Sequence, residues 1–303
     1  MDERHPAPAS PGHSALRRDH WLLYATITTL SWGVWGALIE IPEKAGFPAT
    51  LGYSVWAATM IPCALLALRM NAWHWEHDGR AIGLGSALGF LGAGGQLLLF
   101  EALRTGPAFI VFPVVSLYPV VTIGLSVTLL GERAPRRQWT GVALALPAIV
   151  LLSYVEPTDT LIQGVGWFVL AVGVLLAWGV QAYVMKLAND TMTAEGIFGY
   201  MALTAALLVP VALVMTAFDR PIEWGFRGPY LAALIHVLNS IGALTLVYAL
   251  RYGKAIIVVP LTALAPVITI GLSLAIYQRM PATYHLAGIL LAVIAIYLMA
   301  DDG

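Results

Sequence analysis

Ten long apolar stretches, separated by short polar segments, constrain the fold of this chain more than any other feature. Each is close to the roughly 20 residues that an α-helix needs to cross the hydrocarbon core of a bilayer. The short joining segments leave no room for a soluble catalytic domain. Helices are predicted over 21–39, 51–69, 81–103, 108–130, 138–154, 164–188, 196–218, 228–250, 256–277 and 284–300.

The composition supports lipid as the main solvent. Hydrophobic residues make up 59% of the chain and charged residues 11%, whereas soluble domains hold about a quarter charged residues. A net charge of −1 gives no reason to expect a nucleic-acid partner. Cys63 is the single cysteine, so an intrachain disulfide or a cysteine metal cluster is excluded. We therefore predict an all-α integral membrane protein without a cofactor or a metal.

Residues 1–20 are polar and rich in proline, alanine and serine, which predicts a disordered cytoplasmic tail. A cleavable signal peptide does not fit, because the tail is long and partly acidic and no small-residue cleavage site closes the apolar run after it. The first stretch is therefore predicted to be a transmembrane helix.

The basic residues fix a predicted orientation, because they concentrate on the cytoplasmic side of membrane proteins. With the N-terminus inside, eleven of the 16 lysines and arginines fall on the cytoplasmic side. We therefore expect a multi-pass protein of the plasma membrane, the inner membrane if the source is a bacterium, with both termini in the cytoplasm. The outer side receives Lys44, Arg104, Arg220, Arg227 and Arg279.

The two halves of the chain are related in sequence. Short segments of the first half recur in the second at an offset of 146 residues near the first helix, and of 147 residues from the third helix onward. Several separated matches that hold one register make chance a poor explanation. The pairs are LSWGV (30–34) with LAWGV (176–180), ALRTG (102–106) with ALRYG (249–253), and PVVTIGLS (119–126) with PVITIGLS (266–273).

The number of helices in each copy determines how the copies are oriented. Five spans is an odd number, so a second copy must enter the membrane from the opposite side. We therefore predict two inverted five-helix repeats, over 21–155 and 160–303. Inverted repeats are typical of transporters that work by alternating access, because two related halves can exchange conformations around a central site.

At this point the chain resembles the drug/metabolite transporter superfamily, in its EamA-like branch. The ten helices, the paired ALRxG and PVxTIGLS segments and the closing GILLAVIAIYLMA carry the resemblance, which covers 21–300. It implies transport of a metabolite such as an amino acid, a sugar or a nucleobase derivative, without specifying which. A glutamate that many members carry after the fourth helix is matched in Gly131-Glu132-Arg133, whereas the second copy reads Tyr277-Gln278-Arg279.

The resemblance also implies a cavity between the halves, with the first, third and fourth helices facing the sixth, eighth and ninth. The fifth and tenth helices would be peripheral. A homodimer formed through these two helices is the one protein–protein interaction that we consider. In the third helix, Gly85, Gly89, Gly92 and Gln96 share one face, since they are three or four residues apart. Glycines on such a face allow close helix packing or leave a groove.

The eighth helix carries three polar residues in the middle of its span. Gly89 and Gly92 correspond to His236 and Asn239, and Ser240 follows directly. Unpaired polar groups are costly at this depth, so these three side chains are candidates for substrate binding. Hydrogen bonding between helices is the alternative interpretation.

Two tryptophans, Trp32 and Trp178, are related by the repeat and fall near mid-membrane rather than at the interfaces that tryptophan prefers. Trp35 lies one turn further, and its counterpart is Gln181. These four side chains are predicted to contact a ligand, because flat aromatic rings stack on sugars, nucleobases and cations. Core packing between the halves is the alternative.

Paired prolines mark the fourth and ninth helices: Pro113 and Pro119 in one, Pro260 and Pro266 in the other. Proline removes a helical hydrogen bond, so the four are candidate gating hinges, with a fixed kink as the alternative. Tyr118, beside Pro119, is a further candidate for substrate binding, with packing as its alternative.

Charged residues near the outer helix ends suggest a gate. Glu40, Lys44, Glu101 and Arg104 all fall towards that side, and an ion pair of structural value only is the alternative. For proton coupling, Glu40, Glu101 and His236 are the candidates.

The function predicted from these features is secondary transport of a small polar organic metabolite. No Walker motif is present, so direct use of ATP is not expected. A channel, an intramembrane enzyme and a non-transporting membrane scaffold are the alternatives. An enzyme is disfavoured because the chain has one cysteine, scattered histidines and no HExxH spacing.

Overall fold

The computed structural model describes residues 20–157, 165–278 and 280–300. Throughout these ranges the secondary structure is helical and contains no strand. The predicted tail lies outside them, except for His20, with which the first helix begins. The helices are α1 (His20–Lys44), α2 (Ala49–Met70), α3 (Gly79–Thr105), α4 (Ala108–Ser116 and Tyr118–Leu129), α5 (Arg136–Ser153), α6 (Gly166–Ala188), α7 (Ala194–Leu207 and Val209–Val214), α8 (Leu231–Tyr252 after the π-turn Phe226–Tyr230), α9 (Ala255–Thr262 and Pro266–Tyr277) and α10 (Thr283–Met299).

Each predicted stretch is helical, with ends that differ from the prediction by a few residues. In the described part of the chain, eight of these helices are long and apolar enough to cross a bilayer. α5 is less apolar because its first turn carries Arg136, Arg137 and Gln138, and α10 is shorter, with 17 residues. The protein is therefore a multi-pass membrane protein.

The two halves of the chain are interlocked. The most extensive helix contacts join α1 to α8, α3 to α6 and α5 to α10, so the first helix of each half packs on the third helix of the other. Gly33 of α1 lies against α9, and Gly179 of α6 lies against α4. Cross-helix hydrogen bonds accompany both contacts: Thr269 Oγ1 donates to the Gly33 carbonyl at 2.9 Å, and Thr122 Oγ1 donates to the Gly179 carbonyl at 2.8 Å.

Both proline-rich helices are broken at equivalent places. α4 is interrupted at Leu117, and α9 is interrupted over 263–265, whose middle residue Leu264 is 147 residues later. Pro119 and Pro266 each lie in the first turn of the second part, where the missing N–H costs little. Pro119 and Pro266 therefore mark breaks in both helices, whereas Pro113 and Pro260 lie inside the first helical parts. A role of the four prolines in gating stays a prediction.

The backbone also corrects one detail of the repeat. Gly131 and Gln278 both adopt the left-handed conformation just after their helices, with φ of +65° and +52°. Gly131 therefore corresponds to Gln278, which shifts the pairing proposed from sequence by one residue. Glu132 then corresponds to Arg279, which lies outside the described residues.

The helix bundle has two ends, which we call the base and the top. The base is the end at which α1 begins, where Trp21 contacts Gly253 after α8. The carboxylate of Glu132, after α4, reaches the start of α9 at the same end. The top is the opposite end, where Gly106 after α3 packs on Trp167 at the start of α6.

Candidate functional site

The repeat-related tryptophans occupy the contact between the halves. Trp32 Nε1 donates to the Asn239 carbonyl at 3.4 Å, and Trp178 Nε1 donates to the Gly92 carbonyl at 3.2 Å. Each indole also covers a glycine: a Cβ on Gly242 would lie 2.5 Å from Trp32 Nε1, and one on Gly95 would lie 2.6 Å from Trp178 Nε1. These contacts are the ones expected of core packing, because both indole N–H groups are satisfied by backbone.

A polar cluster on α1, α2 and α8 breaks the symmetry. Trp35 Nε1 donates to His236 Nδ1 at 3.1 Å, and Trp56 Nε1 donates to Asn239 Oδ1 at 3.1 Å. The Trp56 ring meets Tyr53 edge to face, with centroids 5.2 Å apart. The sequence indicated Trp35, His236 and Asn239 but missed Trp56, because α2 was not expected to contribute and Trp56 meets Asn239 only through tertiary packing.

One buried group in this cluster, His236 Nε2, lacks a hydrogen-bond partner among the described residues, and Ser240 Oγ has only the weakly bonding Cys63 thiol beside it. His236 is 5% exposed and Ser240 0% exposed. Since His236 Nδ1 accepts the Trp35 proton, the neutral imidazole carries its own proton on Nε2. That atom points towards α2, where a Cβ on Gly52 would lie 3.8 Å away. The four-residue spacing sets both groups on the same face of α8.

The equivalent region of the other half is filled instead. Gly92 is covered by the Gln181 side chain, and Gly89 is packed against Thr204 of α7. Tyr118 meets Trp178 edge to face, with centroids 6.2 Å apart. Gln96 lies one turn beyond Gly92 and is partly buried.

The predicted binding residues therefore form two groups on two helix pairs. The α1–α8 group holds Trp32, Trp35, His236, Asn239 and Ser240. The α3–α6 group, with α4, holds Gln96, Tyr118, Trp178 and Gln181.

The charged residues predicted to form an outer gate pair within their own helices. Lys44 contacts Glu40 one turn earlier in α1. Arg104 contacts Glu101 one turn earlier in α3, with Nε 2.8 Å from Oε2. Both cations are largely exposed, at 64% and 69% of the side chain, and exposed pairs contribute about 0–1 kcal/mol. Neither ion pair bridges the two halves.

At the base, by contrast, side chains bind across the halves. Glu132 Oε1 and Oε2 accept from the backbone N–H groups of Ala255 and Ile256, each at 3.0 Å. Lys254 Nζ donates to the Arg133 carbonyl at 2.7 Å. The sequence indicated Glu132 without a role, because its partners are backbone groups that no side-chain pattern reveals.

Lys186 adds a further bond at the base, within the second half. Its Nζ donates to the carbonyls of Leu250 and Gly253, at 2.8 and 2.7 Å. These carbonyls end α8, where a cation is favoured by the helix dipole.

A groove of about 510 Å³ lies at the top between α3 and α6. The equivalent positions at the base carry aromatic side chains: Tyr24 stacks on Tyr248 with centroids 4.9 Å apart, and Tyr252 lies 6.0 Å from Tyr24. The positions at the base that correspond to the groove lining are therefore occupied by packed aromatic rings, whereas their counterparts at the top border a groove. The groove is lined by Glu101, Thr105, Gly166, Trp167, Val169 and Leu170.

The first parts of the two broken helices differ in the same sense. Every residue of Ala255–Thr262 is buried. In the equivalent Ala108–Ser116, only Val111 and Val115 are buried. The helix that starts at the base is thus tightly enclosed, whereas its counterpart at the top is not.

Comparison with known proteins agrees with this architecture. A solved crystal structure superimposes with a TM-score of 0.75 at 18% sequence identity, covering 93% of this chain and 97% of the other. Protein RarD of Streptomyces exfoliatus is 24% identical over 294 residues, which cover 93% of this chain and 88% of that protein. An uncharacterised protein of Methanocaldococcus jannaschii is 42% identical over 69 residues, half of its length.

The family comparison covers both halves of the chain. The model of the EamA-like transporter family matches twice, over residues 19–154 and again over 165–300. The two matches fall on the two sequence repeats and together span most of the protein. The chain therefore belongs to the EamA-like transporter family and is a membrane transporter of the drug/metabolite transporter superfamily.

Proposed function

We propose that this protein is a secondary transporter that moves a small polar organic metabolite across the plasma membrane by alternating access. In this proposal all ten helices cross the bilayer, and the two five-helix repeats are inverted with respect to one another. The distribution of lysine and arginine supports cytoplasmic termini, so the base faces the cytoplasm and the top faces outward. The substrate resembles an amino acid, a sugar or a nucleobase.

The polar cluster on α1, α2 and α8 is the observation that supports the proposed substrate class. His236 Nε2 is buried in a membrane span without a hydrogen-bond partner in the described part of the chain, and Ser240 Oγ, on the same helix face, has only the Cys63 thiol. A buried, unpaired donor costs about 1–3 kcal/mol. A substrate with hydrogen-bond acceptors would remove this cost on binding, whereas a purely apolar ligand would not.

The surroundings of these donors narrow the ligand further. Trp35 and Trp56 each hold one polar residue of the cluster through an indole N–H, which leaves their ring surfaces as apolar walls. The cluster itself contains no carboxylate, ammonium or guanidinium group. We therefore propose a neutral or zwitterionic substrate with one flat or apolar face.

A thermal-shift screen of the purified protein against amino acids, sugars and nucleobases tests this proposal. A ligand at 100 times its Kd raises stability by about 2.7 kcal/mol, which is readily seen as a higher Tm. Ser240→Ala is expected to weaken this stabilisation. The matched control is Ser126→Ala on α4, another fully buried serine, whose hydroxyl is unpaired among the described residues.

The two variants separate the outcomes. Loss of ligand-induced stabilisation in Ser240→Ala but not in Ser126→Ala supports the site. Equal stabilisation in both variants and in the parent protein contradicts it. If no compound in the three classes stabilises the protein, the proposed substrate class is contradicted.

A further inference from the structure

We propose that Glu132 is a positioning residue of the transport cycle, which latches the two halves together at the base and keeps that end closed in the conformation described here. This inference rests on the proposed alternating access. It concerns the chain's own gate and not the substrate, so the two can fail separately.

The latch is a pair of charge-assisted hydrogen bonds. Both carboxylate oxygens of Glu132, from the loop after α4, accept the first backbone N–H groups of α9, at 3.0 Å each. Such bonds are about twice as strong as neutral ones, and the start of a helix favours a negative charge. Lys254 Nζ closes the same junction from the other side by donating to the Arg133 carbonyl.

The repeat provides an internal control, because the same junction at the top cannot form. Arg279 takes the place of Glu132, and a guanidinium cannot accept an N–H bond. Pro107 takes the place of Lys254, and the start of α4 receives no side-chain cap from the described residues. The chemistry of the latch is therefore specific to one end.

A second exchange of chemistry points the same way. Lys186 donates to two carbonyls at the end of α8, and its counterpart at the top is Glu40. A carboxylate cannot donate to the equivalent carbonyls at the end of α3. Glu40 instead contacts Lys44 in its own helix.

The two broken helices differ in burial in the way that the latch predicts. The first part of α9, which the latch holds, is buried throughout, whereas the first part of α4 is partly exposed. Val259 is 2% exposed, and its counterpart Phe112 is partly exposed. A base that is closed and a top that is open account for this difference between related positions.

The latch can open because it is not deeply buried. Glu132 is partly exposed, so water can replace both backbone donors when α9 moves away. The carboxylate thus stabilises the closed base without locking it.

Cysteine accessibility tests the proposal without any substrate. Cys63 is the single native cysteine, so Cys63→Ser gives a cysteine-free parent. Val259→Cys reports on the base and Phe112→Cys on the top, each labelled with a membrane-impermeant maleimide applied from either side of oriented vesicles. Thr262→Cys, about one turn deeper along α9 and of nearly native size, is a second probe of access from the base, in case Val259→Cys does not fold.

Glu132→Ala should raise the labelling rate of Val259→Cys from the base at least about tenfold, a shift of about 1.4 kcal/mol. It should lower the labelling of Phe112→Cys from the top at the same time. Glu132→Asp, which retains an acceptor for the α9 backbone, should restore part of both rates. If Glu132 only stabilised the fold, its replacement would not raise labelling at the base and lower labelling at the top together.

Asp78→Ala is the matched control. Asp78 also holds the start of a helix at the base with its carboxylate, which accepts from Arg80 N at 2.9 Å and from Ala81 N at 3.2 Å. Both bonds lie within the first half, so we expect no shift between the two ends.

Three results would overturn the latch. One is faster base labelling with unchanged top labelling, which means local fraying. Another is an equal shift in Asp78→Ala. The third is no labelling of Phe112→Cys from the top in the cysteine-free parent, which would place that face of α4 in lipid. None of these depends on whether the thermal-shift screen finds a ligand.

Discussion

Substitution of Gly33 by alanine is the sharpest test of how the two halves are joined. A Cβ at this position would meet the Ile268 side chain and lie 2.9 Å from the carbonyl oxygen of Ala265. Favourable contacts between heavy atoms lie at about 3.5–4.0 Å. The backbone oxygen cannot rotate away, so α9 must move by about 1 Å or the α1 backbone must bend.

The cost of Gly33→Ala follows from two contributions. Overpacking of this kind costs about 1–3 kcal/mol. The same movement stretches the hydrogen bond from Thr269 Oγ1 to the Gly33 carbonyl, now 2.9 Å long, and interhelical hydrogen bonds in membranes contribute about 0.6 kcal/mol on average. We therefore expect Gly33→Ala to lower the free energy of unfolding by about 2–3 kcal/mol.

Reversible unfolding of the purified protein in mixed micelles, titrated with SDS, measures this change. Gly271→Ala is the control, because Gly271 lies on α9 close to Thr269 and a Cβ there meets nothing within 4 Å. Alanine at an open helical position is expected to be neutral or to stabilise by about 0.5–1 kcal/mol. If the free energies of unfolding of Gly33→Ala and Gly271→Ala differ by less than about 0.5 kcal/mol, the close packing of α1 on α9 is contradicted.

Two further predictions concern hydrogen bonds between helices. Thr122→Val and Thr269→Val should each cost about 0.5–1 kcal/mol, and the two costs should be similar because both hydroxyls donate to a repeat-related carbonyl at 2.8 and 2.9 Å. SDS unfolding curves that differ by more than about 1 kcal/mol would contradict the equivalence. In the polar cluster, a double-mutant cycle with Trp56→Phe and Asn239→Leu should give a coupling energy of about 0.6–1.7 kcal/mol. A coupling energy near zero would contradict the 3.1 Å hydrogen bond from Trp56 Nε1 to Asn239 Oδ1.

Helix positions were predictable because their signal is local. Apolar runs of spanning length define the helices, and the registered repeat shows that Trp32 and Trp178 occupy equivalent places. The same repeat anticipates the equivalent breaks near Leu117 and Leu264. These features depend on residues that lie close together in the chain or recur at a fixed offset.

The partners of polar side chains were not predictable in the same way. The Glu132 carboxylate binds two backbone N–H groups more than 120 residues away, and Lys186 binds two carbonyls. Every residue carries such groups, so no sequence pattern marks the ones that are used. Trp56 reaches Asn239 across two helices whose relative rotation is set by packing alone.

The differences between the repeats carry more functional information than their similarity. Paired features, such as the threonine hydrogen bonds, build the same contact twice and favour neither end of the bundle. A protein built only of such pairs would have two closed states of nearly equal free energy. In the proposed cycle, the exchange of Glu132 for Arg279 biases one end, and the exchange of Gly89 for His236 adds a hydrogen-bonding group to one half alone. Since a ligand shifts a conformational equilibrium only through its different affinity for the two states, the polar cluster and the latch must be coupled for substrate to drive the cycle.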